Sequence, residues 1–281
     1  MRARSKQLSE VYRKIRNTAR FILGNLSDFN PDADSVSDES FQEIDRWALM
    51  RLDQLVAKCR EAYDNFEYHL IYHAVHNFCV IDMSNFYLDV IKDRLYVEAA
   101  DSASRRAAQT VIYRVLDTLT RLFAPILAFT ADEIWKYMPH GADREAANVL
   151  FNEMPTAKGV ADEAFMARWD KIHAVRDEVK KALEEARNQK VIGASLEAAV
   201  TLTAAGETCA FLKGVQDMLP AVFIVSAVRV EEGEAGNDSG LAVKVEPAAG
   251  KKCLRCWMYT EDVGSDPDHP DLCARCAPIL K

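Results

Sequence analysis

Two pairs of cysteines near the end of the chain limit its fold more than any other feature of the sequence. Cys253 and Cys256, then Cys273 and Cys276, stand in the arrangement C-x2-C, sixteen residues, C-x2-C. A turn of two residues lets both thiolates of a pair reach one metal ion, and two such turns complete a tetrahedron of sulfur ligands at about 2.3 Å from zinc. The spacing therefore predicts one zinc ion bound by these four cysteines.

The predicted zinc has a structural and not a catalytic role, because four thiolate ligands leave no coordination position open. Residues 251–281 are rich in Asp and Pro and are too few to bury a hydrophobic core. The metal must therefore supply most of the folding free energy of this tail, on the order of 10 kcal/mol in small zinc modules. A thioredoxin-like redox pair is disfavoured because no βαβ pattern precedes the cysteines, and iron–sulfur ligation is a second minor alternative.

The composition is that of a globular protein of about two domains, with 281 residues, 49% apolar residues and 28% charged residues. A net charge of -8 argues against a surface that coats nucleic acid uniformly, but it allows a local basic patch. No secretory signal follows the first basic residues, and no apolar run approaches the roughly 18 residues of a membrane span. We therefore expect a cytoplasmic protein that binds no membrane, in which Cys59, Cys79 and Cys209 are small buried hydrophobic residues.

The first 140 residues carry apolar side chains at three- and four-residue steps, which is the spacing of amphipathic helices. The expected helices cover about residues 5–26, 37–63, 66–96 with a break near 82–85, and 102–123, followed by a short helix with a Thr130–Glu133 capping box. Arg13, Arg16 and Arg20 fall within about 60° of each other beside the apolar stripe of the first helix, and we refer to them as the arginine ridge. Short connections between these helices predict an α-helical bundle.

The period of the apolar residues changes in the second half of the chain. After a linker rich in Pro and Gly at 139–161 and a long charged helix at 162–190, alternation at period two predicts strands. The strands are expected at 196–204, 221–230 and 240–248, with a helix at 207–219 and a turn-rich segment, "EEGEAGNDSG". The sequence thus predicts a mainly α chain in three parts: a helical bundle at 1–140, a linker, long helix and small α/β domain at 141–249, and a four-cysteine zinc finger at 250–281.

Basic and aromatic residues lie next to the cysteine pairs. Arg255 and Trp257 flank Cys256, and Arg275 stands within the second pair. A tryptophan exposed beside arginines is a suitable stacking platform for an unpaired nucleic-acid base. The alternative is that Trp257 only covers the zinc site.

Four segments of the sequence carry a resemblance to a known family. They are, in order, "YRKIRNTARFILGNLSDFNP", "ADEIWKYMP", "VRDEVKKALEEARNQKVIGASLEAAV" and "KCLRCWMYTEDVG" with "HPDLCARC". These segments resemble the opening of the anticodon-binding helical domain, its final bundle segment, the junction after it and the terminal zinc finger of bacterial-type isoleucyl-tRNA synthetases. One departure is that only "APILK" follows Cys276, where the family continues through another glycine-containing strand, so we expect a shortened or differently formed last hairpin.

The resemblance implies that the chain is the tRNA-binding part of an isoleucine-tRNA ligase, a class I aminoacyl-tRNA synthetase. ATP and isoleucine would bind only in a catalytic domain outside this chain, because its H-I-G-H and K-M-S-K-S signatures do not occur here and no other catalytic motif does. The implied partners are tRNA-Ile and the catalytic and editing domains of the same protein, in a monomer. The residues expected to contact tRNA are Arg13, Arg16, Arg20, Arg255, Trp257 and Arg275.

Two other functions stay open. Formamidopyrimidine-DNA glycosylases end in a similar finger. Those enzymes use an N-terminal proline as nucleophile, however, and this chain begins Met-Arg-Ala. In the other alternative, the finger packs against the body of the enzyme and touches no RNA. The arginine ridge has a similar alternative, as a solvated face or a dock for another domain.

Overall fold

The computed structural model describes residues 2–159, 162–234 and 240–280, with side chains from residue 8 onward. The chain forms two compact units, Met1–Asp162 and Glu163–Lys281, which are described one at a time. It is mainly α-helical, as predicted. The finer division at residues 140 and 249 stays a prediction, and half of the expected turn "EEGEAGNDSG", residues 235–239, lies outside the described residues.

The first unit is built from helices. These are α1 (Arg2–Gly24), α2 (Pro31–Asp34), α3 (Glu43–Asp64), α4 (Tyr68–Asn77), α5 (Leu88–Val90), α6 (Lys92–Val97), α7 (Ala103–Phe123) and α8 (Ala128–Tyr137), with a π-helical segment at Phe78–Tyr87. One face of α1 is buried through Ile15, Ala19 and Ile22, which belong to the apolar stripe seen in the sequence. Helix α1 ends at Gly24, short of the predicted end at Leu26, which is nevertheless buried.

Helix α3 begins later than the sequence predicts. A 3-10 turn occupies Asp38–Ser40, and the cap of α3 is Gln42. The Gln42 side chain accepts a hydrogen bond from the Asp45 backbone, while the Asp45 carboxylate accepts one from the Gln42 amide at 3.0 Å. The predicted helix start at residue 37 was therefore wrong, because this reciprocal pair, which satisfies two amides at once, begins the helix after Gln42.

The predicted break near residues 82–85 is instead a change of helix type. The backbone of Phe78–Tyr87 is π-helical, a geometry in which hydrogen bonds join residues five apart. Its buried side chains come in adjacent pairs at every fourth position: Phe78, Cys79, Asp82, Met83, Phe86 and Tyr87. This spacing is longer than the α-helical 3.6 residues, so the wider turns keep both members of each pair inside the core.

Helices α7 and α8 have different kinds of N-terminal cap. Ser102 caps α7, because its hydroxyl accepts a hydrogen bond from the Arg105 amide in the first turn at 3.1 Å. Helix α8 has Leu127 at its N-cap, and Thr130 lies inside its first turn. The Thr130 hydroxyl lies 3.1 Å from the Tyr12 hydroxyl of α1. The predicted capping box was therefore wrong, because Thr130 makes a contact between helices instead.

The predicted linker after α8 is irregular but held in place. Arg144 donates two hydrogen bonds to the carboxylate of Asp117 on α7, at 2.9 and 3.2 Å. Further along, the Asp53 carboxylate of α3 accepts hydrogen bonds from the amides of Lys158 and Gly159 at 2.6 and 3.0 Å. These contacts make the segment part of the first unit.

The second unit combines one long helix with a small mixed sheet. Its elements are α9 (Glu163–Asn188), β1 (Ala198–Ala204), α10 (Gly206–Val215), α11 (Leu219–Phe223), β2 (Ala227–Glu232), β3 (Leu241–Pro247), β4 (Lys251–Lys252) and β5 (Tyr259–Thr260). The larger sheet has the order β2-β1-β3, in which β2 is parallel and β3 antiparallel to β1. Burial alternates along β1, which confirms the predicted period of two.

The strand predicted at residues 221–230 was wrong in its first half. Pro220 stands in the first turn of the short helix α11, and Ile224 ends that helix in the left-handed conformation at φ 60°. The Val225 amide then donates back to the Pro220 carbonyl at 3.0 Å, and β2 begins only at Ala227. A short apolar run suits a buried helical turn as well as a strand, so periodicity alone did not distinguish them.

Candidate metal centre and nucleic-acid interface

The finger begins with a short antiparallel ladder formed by β4 and β5. Lys251 pairs with Thr260 and Lys252 with Tyr259. Gly250 enters this ladder at φ +89°, in the region that favours glycine. A Cβ atom at Gly250 would lie 2.2 Å from the carbonyl carbon of Thr260, far inside van der Waals contact. The close approach of the two strands therefore requires glycine at this position.

The four predicted ligands come together in the structure. The sulfur atoms of Cys253, Cys256, Cys273 and Cys276 all lie within 4.8 Å of one another, and all four residues are buried. The Cys256 and Cys273 sulfurs are 3.9 Å apart. A tetrahedron with Zn–S bonds of about 2.3 Å has sulfur–sulfur edges of about 3.8 Å. The donor set and its dimensions therefore fit one structural zinc ion.

Backbone amides lower the pKa of the cysteine thiols, whereas burial raises it. Burial would raise the pKa of the Cys253 thiol, but backbone N–H groups of Cys256, Cys273 and Arg255 lower it to about 6. The Cys273 amide lies 3.4 Å from the Cys253 sulfur. Burial raises the pKa of Cys256 and of Cys276. Because zinc binds thiolates, its binding must displace protons from these thiols and becomes tighter as the pH rises.

The second knuckle continues into a helical turn. The amides of Cys276 and Ala277 both donate to the Cys273 carbonyl at 3.0 Å. Residues Ala277–Leu280 then form a 3-10 helix, and Ala277 is 1% exposed. The segment after the last cysteine is thus a helical turn and not a strand, which agrees with the expectation of a differently formed last hairpin.

The indole of Trp257 lies largely in solvent. The residue is 60% exposed, and its backbone is in the left-handed region at φ 64°. The Lys252 ammonium lies 5.3 Å from the indole centroid, a cation–π distance. Arg255 is half-buried and Arg275 is exposed on the same two knuckles. This exposure disfavours the alternative that Trp257 only covers the zinc site.

The arginine ridge lies on the exposed face of α1, as predicted. Arg16 is 3.5 Å from Glu133 of α8, and Arg13 is 3.9 Å from Glu10, with all four side chains about half exposed or more. Arg20 is also exposed. Long ion pairs between exposed groups contribute little free energy, so these guanidinium groups can exchange carboxylate partners for phosphates at small cost.

Two residues of these surfaces were missed as site residues. Lys252 was not among the residues expected to contact tRNA, although its ammonium lies over the Trp257 ring. Glu133 lies beside Arg16 because α1 and α8 pack together, and no signal within either segment could have revealed that contact.

Within the described residues, the four-cysteine cluster is the group of His, Cys, Asp and Glu side chains whose ligand atoms lie close enough together to bind one metal ion. In the same part of the chain, no helix combines the length and the apolar character needed to cross a membrane.

Comparison with protein families decides the class of the chain. Residues 45–202, more than half of the sequence, match the family described as the anticodon-binding domain of tRNA ligase. The chain belongs to this family. Residues 250–279 match a second family, described as a zinc finger found in FPG and IleRS. The second match coincides with the four-cysteine cluster, which agrees with a structural zinc ion at that place.

Curated relatives extend the match to nearly the whole chain. The isoleucine-tRNA ligases of Syntrophotalea carbinolica and Desulforamulus reducens are each 50% identical over 98% of this chain. That of Bacillus mycoides is 49% identical over 98%. The chain spans 30% of the length of each of these relatives.

Proposed function

We propose that the chain holds tRNA-Ile by its anticodon arm for isoleucine-tRNA ligation. The observation that carries the proposal is the succession of a tRNA-ligase anticodon-binding domain and a four-cysteine finger in one chain. Similarity to isoleucine-tRNA ligases over 98% of the sequence supports isoleucine as the amino acid. The chain works in the cytoplasm as part of a monomeric enzyme.

ATP-dependent aminoacylation takes place in a domain outside these 281 residues. The relatives are much longer than this chain, and the sequence contains no H-I-G-H or K-M-S-K-S signature. Isoleucine and ATP bind in that catalytic domain, and an editing domain accompanies it. The role of the present residues is to bind and orient the tRNA.

Within the finger, the sulfurs of Cys253, Cys256, Cys273 and Cys276 hold zinc, which fixes the fold of the two knuckles. Trp257 then offers its exposed indole to an unpaired anticodon base, and stacking of this kind is worth about 1–3 kcal/mol per base. Arg255 and Arg275 contact phosphates next to that base. The arginine ridge of α1 contacts phosphates elsewhere on the tRNA and positions it without reading sequence.

A binding comparison tests the proposal. The zinc-loaded chain is titrated, at one fixed salt concentration, with tRNA-Ile, with the same tRNA carrying another anticodon, and with duplex DNA. We expect tRNA-Ile to bind on the order of tenfold more tightly than the swapped tRNA, because a lost base contact costs at least about 1 kcal/mol. Equal affinity for both tRNAs, preference for the duplex, or no RNA binding would each overturn the proposal.

Single substitutions with matched controls locate the contacts. Arg13→Gln should reduce the slope of log affinity against log salt by about one phosphate, whereas Lys14→Gln, at an exposed residue about 100° around the same helix, should not. Trp257→Ala should weaken tRNA-Ile binding at least about fivefold. Leu254→Ala, at a neighbouring residue that is 62% exposed, should leave it unchanged.

A further inference from the structure

The finger is joined to the sheet of the second unit by one short covalent connection. Residues 248–250 lead from the end of β3 into β4, and the Ala248 amide donates to the Glu197 carbonyl before β1 at 2.7 Å. A single connection with glycine at its end fixes the position of the finger but leaves rotation about the connection free. A defined orientation requires a second point of attachment.

The structure contains such an attachment on the opposite strand of the finger ladder. The backbone N–H of Tyr259 on β5 donates to the Ser226 hydroxyl oxygen at 2.8 Å. The same hydroxyl donates to the Leu196 carbonyl, and the Ser226 amide donates to the Ala198 carbonyl of β1 at 3.1 Å. The hydroxyl is therefore used as donor and acceptor together and links the finger to the segment that enters β1.

The place of Ser226 is fixed by its neighbours in sequence. It lies between the left-handed residue Ile224, which ends α11, and Ala227, which begins β2. Val225 is 1% exposed and holds the turn in the core. The hydroxyl thus projects from a rigid turn, which suits it to orient another segment.

The attachment lies close to the proposed tRNA-contacting side chains. Tyr259 pairs with Lys252 across the ladder, and the Lys252 ammonium lies over the Trp257 ring. We propose that Ser226 is a positioning residue for the finger: it fixes the orientation of the finger on the sheet, and with it the direction in which Trp257 faces an unpaired base. This inference rests on the proposed function.

The test uses the whole zinc-loaded chain with three substitutions. Ser226→Ala removes the bridge, Ser226→Thr keeps the hydroxyl, and Ser265→Ala changes an exposed serine of the finger as the matched control. Hydrogen exchange is measured at the Tyr259 amide and at the Cys253 amide, which donates within the finger to Met258 at 2.9 Å. Zinc content and affinity for tRNA-Ile are measured on the same samples.

We expect Ser226→Ala to keep its zinc and its slow Cys253 exchange, to exchange the Tyr259 amide several-fold faster, and to bind tRNA-Ile about twofold to tenfold more weakly, the range of one hydrogen bond. Ser226→Thr should restore the exchange rate of the Tyr259 amide and the affinity for tRNA-Ile. Ser265→Ala should alter neither quantity.

Two results would overturn the inference independently of the proposed function. Unchanged Tyr259 exchange in Ser226→Ala would show that the bridge does not attach the finger, whether or not RNA binds. Faster exchange with unchanged affinity would show that orientation does not matter for the tRNA. If the unsubstituted chain binds no tRNA, the proposed function fails and takes the RNA part of this inference with it, while the exchange data still decide the attachment.

Discussion

Asp45 and Arg94 form a buried two-point ion pair inside the helical unit. Their oxygen–nitrogen distances are 2.8 and 2.9 Å, and the Asp45 side chain is fully buried. The Tyr87 hydroxyl donates to the same carboxylate at 2.6 Å, and Asp45 also completes the cap of α3 with Gln42. One carboxylate thus connects α3, the π-helical segment and α6.

Asp45→Asn should destabilise the helical unit strongly, because it leaves the Arg94 guanidinium buried without its counter-charge. The expected loss is about 3–5 kcal/mol in the free energy of unfolding, measured by urea titration of the far-UV circular dichroism. Asp89→Asn is the matched control, since Asp89 pairs with Lys92 at 2.7 Å on the surface and should cost less than about 1 kcal/mol. Equal losses in both variants would contradict the role assigned to Asp45.

The stability of the first unit should depend on pH through Asp28. Hydrogen bonding from Arg105, reinforced by Gln109 and opposed by partial burial, lowers the pKa of Asp28 to about 2. Because the folded pKa lies below the unfolded value of about 3.9, the stabilisation is complete above pH 5 and is lost as the pH falls from about 4 to about 2.

Asp28→Asn should therefore flatten the pH dependence of unfolding in that acidic window. The difference from the unsubstituted chain should be large near pH 5 and small near pH 2, as urea unfolding at both pH values would show. Asp38→Asn serves as control, because Asp38 also pairs with an arginine, Arg114, but is 70% exposed. An identical effect of the two substitutions would argue against the special environment of Asp28.

Gly250→Ala should prevent the finger from forming its ladder. The added Cβ would collide with the Thr260 backbone and would force alanine into a positive φ. We expect zinc affinity, measured by competition with a chromophoric chelator, to fall at least tenfold. Gly214→Ala in α10 is the control, because a Cβ there meets nothing within 4 Å. That variant should keep its zinc and gain up to about 1 kcal/mol in stability.

Cys273→Ser should abolish zinc binding and unfold the finger, because the metal supplies most of the folding free energy of this tail. Metal analysis should find no zinc, while the far-UV helical signal and its thermal transition stay unchanged. Cys209→Ser, at a residue that is buried and outside the cluster, should retain one zinc per chain. A cooperative loss of the whole helical signal in Cys273→Ser would contradict the separate folding of residues 250–281.

Features that depend on local spacing could be predicted from the sequence. The cysteine cluster follows from two short turns, and the helix expected at residues 102–123 is observed as α7. The period-two pattern of β1 is equally local. Each of these needs only neighbouring residues to determine the geometry, so no knowledge of the packing was required.

Features that depend on a distant partner could not be predicted. Thr130 matched a capping pattern, but its hydroxyl contacts Tyr12, which is far away in sequence. The attachment of the finger through Ser226 and Tyr259 is of the same kind. The π-helical segment lies between these cases, because the sequence indicated an interruption near residues 82–85 but not that it would take the form of a π-helix.

The ion pair between Asp117 and Arg144 should change how readily proteases cleave the segment after α8. A stretch rich in Ala, Pro and Gly and carrying an arginine would ordinarily be an early site of tryptic cleavage. Here the Asp117 side chain is 4% exposed and receives both Arg144 and Arg121, so trypsin can reach the Arg144 side chain only after it leaves this pocket. The ion pair thus shields the peptide bond after Arg144 from trypsin.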